Sequence, residues 1–256
     1  MWLEARHQRI QALLERLDRV TTDQVVDELG VSRETVRRDF LELEAQGVLK
    51  RVHGGAVRIF DEPSIDKRIG IRVKHKQSIA RALAQRLNRE LTVFMDAGST
   101  TTLLARELAH LSHLTIITNS FDAVASFTSS PENNMRENRV FFLGGELSQR
   151  LAATTGASTI AEIGRFHVDM ALLSPVAVDA AYGATSFDHN EALIARAMAE
   201  NARQVVVLAD YGKIGIRSRE SYCAASRIDL LVTNANAVER PGYRELAGAV
   251  SEVLLA

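Results

Sequence analysis

The amino-terminal part of the chain repeats apolar residues with a helical period in three successive segments. The first segment predicts a helix over residues 3–17, and the second predicts a shorter helix over residues 22–29. In the third segment Val36, Phe40 and Leu43 lie four and three positions apart, so they share one face of a helix. We therefore expect three helices and a buried third-helix face.

Small and polar residues punctuate these helices. Gly30-Val31-Ser32 predicts a tight turn in which Ser32 caps the third helix, and Gly47 predicts a left-handed cap at that helix's end. A weak alternation around a His-Gly-Gly turn predicts a β-hairpin over residues 48–57. This order of elements is typical of a winged helix-turn-helix, a motif that places one helix in the major groove of DNA.

After residue 76 the pattern changes to short apolar runs separated by amphipathic helices. Strands are predicted at residues 91–95, 114–118, 139–143, 169–173, 204–208 and 230–233, and helices at residues 79–87, 101–111, 121–128, 158–166 and 190–202. Short apolar strands spaced by helices are typical of a parallel sheet covered on both faces. We predict a winged helix-turn-helix domain over residues 1–58, a linker over residues 59–75 and an α/β main domain over residues 76–256.

The formal net charge of −1 gives no general attraction to nucleic acid, so a DNA-binding surface must concentrate positive charge locally. Residues 50–58 contain four basic or histidine side chains and no carboxylate, and residues 32–38 contain three arginines against Glu34. Arg38 fits equally well as a structural partner of Asp39 or Glu42. The predicted DNA contacts are Ser32, Arg33, Thr35, Arg37, Arg38, Lys50, Arg51 and His53.

Cysteine content and hydropathy bear on the compartment. The single cysteine, Cys223, excludes an internal disulfide, fits a reducing cytoplasm and is expected to be a bystander in a polar, loop-like stretch. No amino-terminal signal-peptide pattern is found, and no apolar run approaches the ~20 residues that span a bilayer. We expect a cytoplasmic protein without a membrane partner.

Polar residues collect directly after the predicted strands. Because ligands of open parallel sheets bind beyond the carboxyl ends of the strands, these positions predict a binding site. The candidate residues are Asp96, Gly98, Ser99, Thr100, Thr101, Thr118, Asn119, Ser120, Gly144, Gly145, Asp179, Asp210 and Lys213. The aspartates and Asn119 would bind sugar hydroxyls, or would equally serve as turn and cap residues.

Within this set, residues 98–101 open a helix whose backbone N–H groups and hydroxyls would hold an anion such as phosphate. Simple helix capping explains these residues about as well. Lys213 favours phosphate because it would add a second positive contact, although an ordinary surface lysine is the alternative.

The adjacent residues Asp188, His189, Asn190 and Glu191 suggest acid–base or metal chemistry at first sight. Residues adjacent in sequence rarely converge on one ion, and no second pair of ligands stands at a suitable spacing. A helix cap, with one of these side chains lining the pocket, is the alternative that stays open. We predict no metal and no cofactor.

The motifs of both domains together resemble those of the DeoR family of bacterial transcriptional regulators over nearly the whole chain. The resemblance rests on Val31-Ser32, Thr35–Asp39, Leu43-Glu44, Gly47, Arg51–Ala56, Asp96–Thr101, Thr118–Ser120, Gly144–Glu146, Gly156, Gly183, Asp210 and Lys213. It implies a ribose-phosphate-isomerase-like effector domain that senses a phosphorylated sugar or polyol, in a repressor of a catabolic operon. Residues 187–191 are similar to the branch that senses glycerol 3-phosphate.

Three departures from the family pattern bear on the ligand. The chain has Ala177-Val178-Asp179 where the family usually has Gly-Ile-Asp, Gly212 where a serine is common, and Thr233-Asn234 where Thr-Asp is frequent.

The related fold also contains enzymes such as glucosamine-6-phosphate deaminase, whose catalytic acid lies in an Asp-Gly-His run. Here the run is Asp179-Ala180-Ala181, without the histidine that shuttles a proton near neutral pH. We therefore predict a sensor that is not an enzyme; the alternative is a sugar-phosphate isomerase or deaminase with an appended DNA-binding domain. A single winged helix covers limited DNA, and two-fold oligomers bind paired half-sites. We therefore predict a homo-oligomer, a dimer or tetramer, on double-stranded operator DNA.

Overall fold

The computed structural model describes residues 3–17, 19–45, 48–58, 70–87, 90–129 and 137–256. The chain divides into two compact units, residues 1–61 and 62–256, each described by itself below. The predicted cap Gly47 and residues 59–69 of the predicted linker lie outside the described residues, as does the side chain of Arg58. Residues 73–75, which the sequence assigned to the linker, belong to a helix that starts at Val73.

The amino-terminal unit has the predicted helices and hairpin together with one strand that the sequence pattern did not reveal. Its elements are α1 (Leu3–Leu17), β1 (Arg19–Thr21), α2 (Thr22–Leu29), α3 (Arg33–Ala45), β2 (Leu49–Val52) and β3 (Gly55–Arg58). The short strand β1 pairs with β3 and makes a three-stranded antiparallel sheet of order β1-β3-β2. A strand of three residues is too short to show a period.

The core of this unit confirms the predicted helix faces. Val36, Phe40 and Leu43 of α3 are buried against apolar residues of α1, α2 and the sheet. Leu17, the last residue of α1, is 44% exposed. In the hairpin, Gly54 has φ +80°, and a Cβ on Gly55 would lie 2.1 Å from the carbonyl oxygen of Val20. The His-Gly-Gly sequence thus allows both the turn and the close approach of β1.

The second unit is built on a parallel sheet of seven strands in the order β15-β14-β12-β9-β4-β5-β6. These strands are β4 (Thr92–Met95), β5 (Thr115–Thr118), β6 (Arg139–Phe142), β9 (Val168–Leu173), β12 (Ala202–Leu208), β14 (Leu230–Thr233) and β15 (Val253–Leu255). The larger helices are α4 (Val73–Arg86), α5 (Ser99–Leu108), α6 (Phe121–Thr128), α7 (Ala157–Ile163), α8 (His189–Glu200) and α9 (Tyr243–Ala249). The predicted parallel α/β sheet is confirmed.

Helices cover both faces of this sheet, as the apolar runs predicted. Val93 and Met95 of β4 pack with α4, α5 and α6 on one face. Phe94, between them, packs on the other face with residues of α7, α8 and α9. The alternation within a single strand places one apolar core on each side.

Smaller elements surround the sheet and were not predicted. They are the pair β7 (Glu146–Leu147) and β8 (Thr154–Thr155), the antiparallel sheet of β10 (Ala177–Asp179), β11 (Gly183–Ser186) and β13 (Glu220–Cys223), and short 3-10 helices over residues 211–213, 225–227 and 235–239.

Cys223 corrects one expectation, because it lies in β13 and is 5% exposed rather than in a polar loop. Burial raises the pKa of the Cys223 thiol to about 11, so the thiolate form is rare at neutral pH. Among the described residues, no helix is both long enough and apolar enough to cross a membrane.

Candidate functional site

The strand order of the parallel sheet reverses between β4 and β9. Loops that leave the carboxyl ends of two such strands diverge to opposite sides and open a crevice. Asp96 follows β4 and Ser174 follows β9, and the Asp96 Oδ2 atom accepts a hydrogen bond of 2.8 Å from the Ser174 N–H. The two loop starts are therefore held together at the reversal.

A cavity of about 340 Å³ opens at this point and is here named the switch-point cavity. Its lining comes from the loops after β4, β5 and β9, the strands β7 and β8 with the segment between them, helix α8 and its N-cap, and the strands β11 and β13. The polar members are Asp96, Asn119, Glu146, Ser148, Gln149, Arg150, Thr154, Thr155, Ser174, Ser186, Asp188, Asn190, Glu191 and Tyr222. Of the predicted site residues, Asp96 and Asn119 line this cavity.

Two buried polar atoms in the lining have no hydrogen-bond partner among the described residues. The Asn119 Nδ2 atom donates to the Thr154 carbonyl at 2.8 Å, which leaves Oδ1 as an acceptor without a donor. The Tyr222 hydroxyl is likewise without a partner. Because buried polar groups are normally paired, these two atoms indicate a site built to bind polar groups.

The predicted phosphate loop lies directly beside Ser174. Helix α5 begins at Ser99, and its N-cap residue, Gly98, provides no side-chain hydrogen bond to the first turn. A Cβ on Gly98 would lie 3.2 Å from the Ser174 Cβ, so the loop and the end of β9 are in close contact. The Thr101 hydroxyl donates to the Gly98 carbonyl at 3.0 Å, while the buried Thr100 hydroxyl oxygen has no partner in the described chain.

One lysine contacts this helix terminus directly, and a second contacts Ser174, which lies beside it. Lys76 of α4 is 2% exposed, and its Nζ atom donates to the Ser99 hydroxyl at 2.9 Å. Lys213 Nζ donates to the Pro175 carbonyl at 2.5 Å and to the Ser174 hydroxyl at 3.3 Å. We name the first turn of α5, Lys76 and Lys213 the cationic subsite. A helix N-terminus in contact with one lysine, with a second lysine on the neighbouring Ser174, suits an anion.

The predicted residues after β5 have structural roles in this conformation. Thr118 donates its hydroxyl to the Met95 carbonyl at 2.7 Å, which ties β5 to β4. Ser120 caps α6 by accepting from the Ala123 N–H at 3.2 Å. Neither residue lines the switch-point cavity.

Gly144 and Gly145, after β6, also stay outside the cavity lining. The Gly144 N–H donates to Glu162 Oε2 at 2.7 Å. Gly145 has φ +152°, and a Cβ there would lie 2.0 Å from the Thr159 hydroxyl oxygen, so packing requires glycine. These glycines bring the chain to Glu146, which does line the cavity.

Asp179 and Asp210 have the turn and cap roles that the sequence left open beside hydroxyl binding. Asp179 ends β10 and accepts a hydrogen bond of 2.6 Å from the Tyr182 N–H across a turn. Asp210 accepts from the Gly212 N–H at 3.0 Å and forms an ion pair with Arg72 at 3.4 Å. Neither aspartate lines the cavity.

The stretch Asp188–Glu191, at the start of α8, contributes three of its four residues to the cavity lining. Asp188 caps α8 by accepting from the Asn190 and Glu191 N–H groups at 2.9 and 3.1 Å, and all three residues line the cavity. His189 is 69% exposed and contacts Glu220 at 2.7 Å. The open alternative of a cap with cavity-lining side chains is the one observed.

Sequence reasoning missed Lys76 and Tyr222. A signal for Lys76 existed, because it precedes Ile79, Ala80 and Leu83 by three, four and seven positions and so occupies the apolar face of its helix. No comparable signal marked Tyr222, since β13 belongs to a small antiparallel sheet whose pairing the sequence did not reveal.

The predicted DNA-contacting residues of the first unit lie on α3 and the hairpin. Ser32 caps α3 as expected, accepting from the Thr35 N–H at 3.1 Å. Arg37, Arg51 and His53 line one cleft between α3 and the hairpin. Arg33, Arg38 and Lys50 are also exposed, so the basic side chains are accessible on these elements.

The alternative that Arg38 pairs with Asp39 is wrong. Asp39 is 1% exposed and binds the Arg6 guanidinium through two hydrogen bonds, of 2.5 and 2.7 Å, with His7 at 3.3 Å. The hydrogen bond to Asp39 raises the pKa of Arg6 above its usual value. Asp39 therefore anchors α1 to α3 and leaves Arg38 exposed.

Two of the predicted contacts carry ion pairs within the unit. Arg33 contacts Asp23 at 2.6 Å, with both side chains well exposed. Arg51 donates from its backbone N–H and its Nε atom to Glu44 at 2.8 and 2.7 Å. These hydrogen bonds, the backbone one first, hold the pKa of Glu44 below its usual value. Arg51 thus ties the hairpin to α3 in addition to carrying positive charge.

Comparison with known proteins gives matches to both units. The DeoR-like helix-turn-helix domain matches residues 6–61, and the DeoR C terminal sensor domain matches residues 71–235. The chain is 31% identical to the glycerol-3-phosphate regulon repressor of Escherichia coli (strain K12) over 90% of each chain. It is 33% identical to the HTH-type transcriptional repressor GlcR of Bacillus subtilis (strain 168), over 91% of this chain and 89% of the relative.

A third relative, the HTH-type transcriptional regulator GolR of Listeria innocua, is 30% identical over 98% of each chain. Among solved structures, ribose 5-phosphate isomerase A of Methanocaldococcus jannaschii is 18% identical with a TM-score of 0.39, over 54% of this chain and 53% of that one. The two domain matches and the full-length relatives agree with the winged helix-turn-helix and the α/β unit described above. The chain belongs to the DeoR family of DNA-binding transcriptional regulators.

Proposed function

We propose that this regulator represses a carbohydrate or polyol catabolic operon and that a phosphorylated sugar or polyol controls its affinity for operator DNA. The observation that carries the proposal is the placement of the cationic subsite beside the polar switch-point cavity, with Ser174 in contact with both. A phosphate group requires positive groups such as those of the cationic subsite, and a hydroxylated carbon chain requires polar partners such as those of the switch-point cavity.

The two parts of the site divide the ligand between them. The phosphate would accept hydrogen bonds from the first turn of α5 and from Lys76 and Lys213, and charge-assisted bonds of this type are the stronger ones in proteins. The hydroxyl groups would bind Asp96 and the free acceptor of Asn119. The names of the relatives, among them a glycerol-3-phosphate regulon repressor, support this class of effector.

Binding without turnover is part of the proposal. Asp179 lies outside the cavity lining and bonds to its own turn, and the run that follows it lacks histidine. The relatives reported above are named as regulators. Chemical conversion of a phosphorylated sugar by the purified full chain would support the alternative, an enzyme with an appended DNA-binding domain.

We also propose that the regulator acts as a homo-oligomer, a dimer or tetramer. One recognition helix covers a single half-site, and two-fold assemblies read paired half-sites. Sedimentation of the full chain at DNA-binding concentrations tests this point, and a monomer both with and without DNA would remove it.

The effector proposal is tested by thermal unfolding of the full chain against phosphorylated sugars and polyols, with the unphosphorylated compounds as matched controls. A ligand at 100 times its Kd stabilises the native state by about 2.7 kcal/mol, which raises the unfolding midpoint measurably. We expect such a rise for at least one phosphorylated compound and none for its unphosphorylated counterpart. Equal behaviour of the two sets would contradict the proposal.

Arg51→Ala tests the role of the hairpin in DNA binding. Loss of one phosphate contact lowers the slope of log affinity against log salt by about one unit, for specific and unrelated duplexes alike. The substitution also removes the hydrogen bond from the Arg51 Nε atom to Glu44, while the backbone one remains, so we expect a larger fall in affinity than for Lys50→Ala, an exposed neighbour. Fluorescence anisotropy over a salt series measures both quantities, and an unchanged slope would exclude Arg51 from the interface.

A further inference from the structure

The lining of the switch-point cavity contains two neutral polar atoms without partners in the described part of the chain, and the proposed function has used only one of them, the Asn119 Oδ1 atom. The Tyr222 hydroxyl and the Asn119 Oδ1 atom are both buried in its lining and have no partner among the described residues. Tyr222 is 6% exposed and Asn119 is 4% exposed. A phenol hydroxyl donates and accepts, whereas the amide oxygen accepts only.

Carboxyl groups line the same cavity as these two atoms. Asp96, Glu146, Asp188 and Glu191 line the cavity, and in the described part of the chain Arg150 is the basic residue that lines it with them. The Arg150 guanidinium lies 5.0 Å from the centre of the Phe187 ring, which holds it against that aromatic face. The lining is therefore rich in acceptors and in negative charge.

The same surroundings keep Tyr222 in its donor form. Burial first, and then the carboxylates of Asp96 and Glu191, raise the pKa of the Tyr222 phenol well above its usual value. The hydroxyl consequently stays protonated over the neutral range and offers its hydrogen to a ligand.

A ligand hydroxyl satisfies this environment, and a ligand anion does not. A hydroxyl can accept from Tyr222 while it donates to Asn119 Oδ1 or to a carboxylate. A carboxylate or a second phosphate brings no donor for Asn119, and it places a negative charge among the acidic side chains.

On the basis of the proposed function, we propose that Tyr222 is a specificity-determining residue of the effector site. It selects effectors that carry one phosphate and a neutral, hydroxyl-bearing remainder, and together with the acidic lining it rejects phosphorylated acids and bisphosphates.

Two matched pairs of probes test this selection directly. Glycerol 3-phosphate differs from 3-phosphoglycerate, and glucitol 6-phosphate from 6-phosphogluconate, by a CH₂OH group in place of a carboxylate. Calorimetric titration of the full chain is expected to show that the alcohol member of at least one pair binds about 100-fold or more tightly than the carboxylate member. Contacts between like charges cost several kcal/mol, which accounts for the difference.

Tyr222→Phe isolates the hydroxyl, and Tyr182→Phe is the matched control because Tyr182 is 48% exposed and outside the cavity lining. We expect Tyr222→Phe to lower the affinity for the alcohol member about 10-fold, the effect of one hydrogen bond. We expect Tyr182→Phe to leave that affinity unchanged. The ligand-free Tyr222→Phe protein should unfold at the same temperature as the wild type or higher, since it loses an unpaired buried hydroxyl. A role confined to folding would lower that temperature.

The outcomes separate the inference from the function on which it rests. The role of Tyr222 is overturned if an alcohol member binds the wild type and Tyr222→Phe with equal affinity, or if it binds the wild type no more tightly than the matching acid does. Either result leaves the proposed function standing. If neither these probes nor any other phosphorylated sugar or polyol binds the wild type, both fail together.

Discussion

Replacing Lys213 by methionine is expected to lower the affinity for a phosphorylated effector about 100-fold. The Lys213 ammonium is held by the Pro175 carbonyl and by the hydroxyl of Ser174, the residue that lies beside Gly98 at the start of α5. A charge-assisted hydrogen bond contributes about 1.5–3 kcal/mol, and it gains strength where water is excluded. Methionine keeps the length and the apolar stem of the side chain, so the loss reports on the charge.

Lys74→Met is the matched control, because Lys74 is an exposed lysine of α4 that is not part of the cationic subsite. Calorimetric titration should show unchanged effector affinity for this variant. Both variants should bind DNA like the wild type when effector is absent, since both changes lie in the α/β unit. Wild-type effector affinity in Lys213→Met would show that the phosphate does not bind at the cationic subsite.

The second large effect is expected from Asp39→Ala, which should destabilise the amino-terminal unit by about 3 kcal/mol or more. The Asp39 side chain is 1% exposed and joins Arg6 and His7 of α1 to helix α3. Removing one member of a buried pair leaves the other without compensation. Small domains are only marginally stable, so this destabilisation should also lower the affinity for DNA.

Glu42→Ala gives the comparison on the same helix. Glu42 is 42% exposed and lies 3.7 Å from His7, and exposed ion pairs of this kind contribute less than about 1 kcal/mol. Urea denaturation followed by circular dichroism measures both variants. If Asp39→Ala is no less stable than Glu42→Ala, the buried ion pair does not hold α1 on α3.

The elements that could be predicted from sequence are those whose periods are long enough to read. The α3 stripe of Val36, Phe40 and Leu43 and the apolar runs of the parallel sheet specify burial locally, and the structure confirms both. Strand β1 and the side sheet of β10, β11 and β13 were missed, because such short strands depend on partners distant in sequence.

The site was predictable where strand ends converge and not where distant segments meet. Asp96, Gly98 and Lys213 follow strands, and the sheet brings them to Ser174. The contact of Lys76 with Ser99 depends instead on how α4 packs beside α5, and the position of Tyr222 depends on the pairing of β13. The Arg51–Glu44 hydrogen bond also joins two different elements, the hairpin and α3, and no local sequence pattern predicts how these elements pack.

The central claim is that effector binding and DNA binding are coupled in one chain. Duplexes recovered by selection from a random pool provide the DNA, and fluorescence anisotropy at fixed salt gives its Kd with and without a saturating phosphorylated ligand. Coupling of the usual size for linked sites changes that Kd by about 5- to 150-fold in the wild type. We expect a much smaller change in Lys213→Met at the same ligand concentration, because this variant binds the ligand about 100-fold more weakly. A wild-type Kd that stays the same when calorimetry shows the effector site to be saturated would contradict the account.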